Sequence, residues 1–97
     1  MKLLTQEIKR ALPPLGSQDG KGLDAVARVK FFTPDGGWTW YATEFDGEDT
    51  FFGLVVGFEA ELGYFQLSEL EQVRGRLGLP IERDRYFKPT ALRELMG

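Results

Sequence analysis

The chain has no cysteine and no histidine. Without a thiol or an imidazole it cannot assemble a Ser-His-Asp or Cys-His nucleophile, an imidazole proton shuttle or a thiolate zinc site. Acid and base work is left to carboxylates, lysines and tyrosines. Missing cysteine also means that no disulfide holds the fold, which suits a reducing compartment. The N-terminal residues lack the apolar run of a signal peptide, so a cytoplasmic location is expected. Long apolar runs are missing too. The richest stretch, residues 51–58, is interrupted by Gly53 and Gly57 and falls well short of the ~18 residues a membrane span needs.

The last scarcity is positive charge. Residues 31–73 contain no Lys or Arg but nine acids, whereas residues 1–30 and 74–97 each carry six cations against three acids. The net charge of −3 hides this alternation of basic, acidic and basic segments. The acidic segment also holds both tryptophans and seven of the eight phenylalanines. An aromatic region bordered by acid suits a basic partner surface and argues against phosphate binding, because each phosphate would meet carboxylates. Direct nucleic-acid binding is therefore not expected, except through the C-terminal cations Arg74, Arg76, Arg83, Arg85, Lys88 and Arg93. Glu82 and Asp84 alternate with Arg83 and Arg85 there, which reads as an ion-paired, solvated edge.

Ninety-seven residues predict one domain over 1–97. Thr5 is placed to cap a helix carrying Ile8 and Leu12, which Pro13 and Pro14 must stop. Residues 15–24, rich in Gly and polar side chains, have no periodicity and predict a mobile loop. Two-residue alternation from Ala25 to Phe32 predicts a strand. Turn chemistry at Pro34, Asp35, Gly36 and Gly37 leads into a second strand from Trp38 to Phe45, and Asp46-Gly47 into a third over residues 50–58. A fourth strand is expected over residues 63–67. Ser68-Glu69-Leu70-Glu71 has the pattern of a capping box, opening a helix with Leu70, Val73 and Leu77 on one face that ends at Gly78 and Pro80. Residues 81–87 predict a charged edge strand, and residues 89–95 a final helical turn. The class is α+β: an antiparallel sheet of four to five strands with two to three short helices on one face, a small barrel being the alternative.

The densest titratable group is Glu44, Asp46, Glu48 and Asp49 around the second turn. Hard oxygens at such a tip can bind Mg²⁺ or Ca²⁺, but the spacing does not fit an EF-hand, and a solvated hairpin tip is the simpler reading. No metal and no cofactor is expected. Trp38 and Trp40, two apart on a strand, share a face with Ala42 and Glu44, while Tyr41 points oppositely. That face is either core or an exposed stacking platform, and core is the expectation.

The run from Lys30-Phe31-Phe32-Thr33-Pro34-Asp35 through Trp38-Thr39-Trp40-Tyr41-Ala42-Thr43-Glu44-Phe45-Asp46-Gly47-Glu48-Asp49-Thr50-Phe51-Phe52-Gly53-Leu54-Val55 resembles a bacterial family described as domain of unknown function 2958. The likeness continues through Glu61-Leu62-Gly63-Tyr64-Phe65, Ser68-Glu69-Leu70-Glu71 and Gly78-Leu79-Pro80-Ile81-Glu82-Arg83-Asp84. The resemblance implies genes carried on plasmids, phages and other mobile elements, at times near anti-restriction genes, and it implies no catalytic residues. Charge and resemblance together lead to one expectation. The chain is a non-enzymatic interaction domain whose acidic, aromatic surface blocks a basic partner, such as a host defence nuclease or CRISPR effector, in an anti-restriction or anti-CRISPR role. The partner-binding residues would be Glu44, Asp46, Glu48, Asp49, Glu59, Glu61 and Tyr41. The alternatives are a carboxylate- or metal-dependent enzyme or accessory domain, and a nucleic-acid binder using the C-terminal arginines.

Overall fold

The computed structural model describes residues 2–96, so the first and last residues of the expected domain lie outside the described residues. Five strands make an antiparallel sheet: β2 (Val29–Phe32), β3 (Thr39–Phe45), β4 (Thr50–Val56), β5 (Ala60–Gln66) and β6 (Glu82–Arg83), in spatial order β5-β4-β3-β2-β6. A second, two-stranded ribbon joins β1 (Val26–Ala27) to β7 (Thr90–Ala91). Three short helices complete the α+β fold: α1 (Gln6–Ala11), α2 (Leu67–Gln72) and α3 (Leu92–Leu95). Among the described residues no helix is long and apolar enough to cross a membrane.

The alternation read from residue 25 onward is present, but the strand divides at Arg28. β1 joins the ribbon and β2 the main sheet, while the Arg28 N–H still donates to the Ala42 carbonyl at 2.8 Å. Val29, Phe31, Trp40, Phe45, Phe51 and Phe65 form one apolar layer, covered by Leu3, Leu12, Leu70 and Ile81, with Ile8 of α1 packed against it. Phe51 is its centre, with ring centroids 4.5 Å from Phe45, 5.2 Å from Phe65 and 5.5 Å from Phe31. On the opposite face Leu54 and Tyr41 pack with Ala25, Ala27, Phe87, Leu92 and Leu95. The expected placement of helices on one face thus holds for α1 and α2, while α3 covers the other. Helix α1 has the expected cap: Thr5 Oγ1 accepts from the Ile8 N–H at 3.2 Å.

Three local expectations change. First, a β-bulge lies in β3. Ala42 pairs with Gly53 and Glu44 with Phe52, so Thr43 is an extra residue and the side-chain alternation reverses there. Glu44 therefore leaves the tryptophan face for that of Phe52. Second, residues 15–24, expected as a loop without regular structure, contain local structure. They form successive tight turns, Ser17 N–H to Pro14, Asp19 to Gly16, Lys21 to Gln18 and Asp24 to Lys21, with Gly16 and Gly20 at φ +90° and +85°, where a Cβ would be strained. Third, α2 stops at Gln72, well before Leu77. Its first turn is capped from elsewhere: Asp49 accepts from both the N–H and the Oγ of Ser68 at 2.8 Å, and Ser68 lies inside the helix with no side-chain cap at Gln66. The capping-box assignment is thereby replaced by a cap reaching across 19 residues.

Candidate functional site

The seven acidic and aromatic candidates separate into structural and surface residues. Glu44 is the clearest correction. It is 2% exposed, and its carboxylate accepts from the Gly16 N–H at 2.8 Å and the Gln18 N–H at 2.6 Å. Backbone N–H groups replace the water that burial removes. Glu44 is thus the anchor of residues 15–24 and cannot present a surface to a partner. Removing it by Glu44→Ala should cost about 2–3 kcal/mol and release this segment. Faster amide exchange confined to residues 15–24 is the signature to measure; unchanged exchange there would discard the anchor role.

Asp46 Oδ1 accepts from the N–H groups of Glu48, Asp49 and Thr50, at 2.8, 2.8 and 3.1 Å. These donors, Glu48 first and then Asp49, hold its carboxyl below the ordinary aspartate value, against a smaller opposing effect of desolvation. A depressed folded-state value means that the contribution to stability is present above the unfolded-state pKa and lost as pH falls through the folded one. Asp46→Asn keeps an acceptor in place and should be milder than Asp46→Ala in a denaturant titration of unfolding at neutral pH; equal loss would show that a neutral acceptor does not replace the carboxylate in this turn. Asp49 is occupied by Ser68. Glu48 is exposed at the turn tip. Tyr41 is half-buried, with its ring 5.7 Å from Phe87.

The acids do not gather into one face. Residues 46–49 connect β3 to β4 and residues 57–59 connect β4 to β5, so the two acidic turns sit at opposite ends of a seven-residue strand, about 20 Å apart. Among the described residues, no three acidic side chains are grouped so as to hold a metal ion. Several cations have partners. Arg93 pairs with Asp24 at 3.2 Å and Lys30 with Asp84 at 3.6 Å, and Arg74 donates to the Glu71 and Val73 carbonyls.

What remains is an aromatic corner that the sequence only half disclosed. Trp40 is 9% exposed and in the core, as expected, but Trp38 is 40% exposed and Phe58 is 97% exposed. The Trp38 ring stacks on Trp40 at 6.1 Å and meets Phe58 edge-on at 5.9 Å. Gly57 makes this possible, because a Cβ there would collide with the Trp38 ring. On one side of Trp38 a hollow is lined by Val55, Phe58, Glu59 and Glu61. On the other, a strongly apolar groove of about 600 Å³ runs between Trp40, Gly36, Val73 and Gly75, with Arg74 and Arg76 along its wall. Asp35 builds that wall. Its Oδ2 accepts from the N–H groups of Leu77 and Leu79, at 2.7 and 3.3 Å, beneath a glycine, Gly75, whose Cβ would overlap the carboxylate. Asp35 lies in the expected 34–37 turn and also holds the 75–79 turn, and Leu77, expected on a helix face with Leu70 and Val73, lies beyond the end of α2 and is exposed. The Gly75 and Gly78 pair was the available signal.

Comparison with known proteins agrees with the resemblance seen in the sequence. No curated protein and no solved structure matches the chain. The family model described as protein of unknown function (DUF2958) matches residues 3–94, nearly the whole length, and the chain belongs to that family.

Proposed function

We propose that the chain is a non-enzymatic docking domain that receives a basic segment of another protein at the corner formed by Trp38, Phe58, Glu59 and Glu61. The observation that supports this most is Phe58, a phenylalanine 97% exposed at a turn tip and held against a half-open tryptophan. Isolated exposed apolar residues are ordinary, but two adjoining aromatics do little for a core and are the usual anchors of an interface. The exposed Glu59 and Glu61 beside them give that anchor a preference for cations. With Glu44 buried and Asp46 and Asp49 engaged in the turn and the α2 cap, the reading rests on the aromatic corner and its two acids instead of on the charge of the whole central segment.

The first partners to try are basic nucleic-acid-binding surfaces of host nucleases and CRISPR effectors, in line with the anti-defence role that mobile-element carriage suggests. Phe58→Ala should weaken capture of such a partner roughly thirtyfold, as loss of an aromatic anchor does, without lowering the melting temperature. Glu59→Gln with Glu61→Gln should weaken it less and flatten its dependence on salt. A titration in which Phe58→Ala binds as well as the parent chain would end this reading.

A further inference from the structure

The two edges of the main sheet are treated differently. β6 is two residues long and charged, which is how natural sheets protect an edge. β5 has seven residues, no Lys, Arg or Pro, and Glu61 as its one charge. Neither a bulge nor a covering element interrupts its pairing with β4, which runs unbroken from Thr50↔Gln66 to Val56↔Ala60. The Leu67 N–H donates to the Asp49 carbonyl at 2.8 Å and the Gly57 N–H to the Glu59 carbonyl at 3.0 Å. These two bonds set the phase of the ladder: residues 61, 63 and 65 turn their N–H and C=O toward β4, and Leu62 and Tyr64 turn theirs outward. The side chains of those same two residues are exposed, Tyr64 at 70%, and Tyr64 meets Phe52 edge-on at 4.9 Å. An open row of backbone donors and acceptors therefore runs beside an unpartnered apolar strip.

Resting on the docking reading above, we propose that the partner adds as a sixth strand along β5, through an extended segment in which two apolar residues flank a Lys or Arg. The apolar residues lie opposite Leu62 and Tyr64 and cover them. The intervening cation points to the other face of the sheet, where Glu61 stands beside Val55 and the Trp38–Phe58 corner. Charge selects this occupant over a second copy of the chain. Residues 57–71 carry four acids and no cation, so two β5 edges would bring acidic stretches together, whereas a basic strand relieves them.

Proline provides a selective test. At position 62 it removes an N–H that points outward and leaves the β4 ladder intact. The probe is a capped heptapeptide of alternating valine and lysine, titrated against the full chain while the Leu62 and Tyr64 amides are followed by hydrogen exchange. Expected are binding, slowed exchange at those two amides, and roughly tenfold or greater weakening by Leu62→Pro with the melting transition retained. If Leu62→Pro destabilises the chain, Tyr64→Pro gives the second reading. Binding that is lost in Phe58→Ala but unaffected by either proline would overturn strand addition and leave the docking corner standing. No binding by the peptide, together with a dimer that Leu62→Pro dissociates, would overturn the basic occupant in favour of a second copy. Absence of both peptide binding and self-association would overturn the proposal outright.

Discussion

Gly53→Ala is expected to lower the stability of the chain sharply, while Gly63→Ala, one strand away on the same rung of the sheet, is expected to be harmless. The two glycines face each other in the β4–β5 register, each at the middle of its seven-residue strand. Their surroundings differ. A Cβ on Gly53 would fall on the Tyr41 carbonyl oxygen and lie 2.9 Å from its carbon and 3.0 Å from the Ala42 Cα. All three are backbone atoms of β3 at its bulge, so no side chain can rotate away. Accommodation requires β3 and β4 to part, and the cost should reach about 3 kcal/mol or more, a large fraction of the roughly 5–15 kcal/mol typical of whole domains. A Cβ on Gly63 meets nothing within 4 Å, and the loss of unfolded-chain freedom should make Gly63→Ala neutral or slightly stabilising. Denaturant titration of the pair is decisive. If Gly53→Ala unfolds at the same midpoint as Gly63→Ala, the close approach of the two strands is wrong.

Phe51→Ala should have the second large effect. Phe51 is fully buried and shares ring contacts with Phe31, Phe45 and Phe65, which belong to three different strands. Truncation leaves a cavity among stiff rings that cannot easily close it, and such Phe→Ala changes cost about 3–5 kcal/mol. At a typical urea dependence of about 1–3 kcal/mol per molar for small proteins, the midpoint should fall by roughly 1–5 M. Phe58→Ala, remote from this cluster, is the control and should leave the midpoint where it was. A shift under about 1 kcal/mol for Phe51→Ala would mean that the aromatic layer is not the centre of the core.

Much of this molecule follows from local rules. Alternation at residues 25–32, the glycine-bearing turns and the paired prolines are short-range steric and solvation effects, so the hairpins, the Thr5 cap and the α+β class could be read directly. The absence of cysteine and histidine and the confinement of acids and aromatics to residues 31–73 are likewise properties of the sequence alone. Where each acid points was decided by the tertiary structure. A single extra residue at Thr43 reverses the alternation and buries Glu44, which then holds a segment whose own composition gives it no reason to be ordered. Asp49 caps a helix 19 residues away, and Asp35 captures a turn 42 and 44 residues away. Such bonds depend on chain folding and leave no periodic trace. The exposure of Trp38 and Phe58 and the open edge of β5 have the same origin, because period-two patterning states which face a side chain takes but not whether anything comes to cover that face.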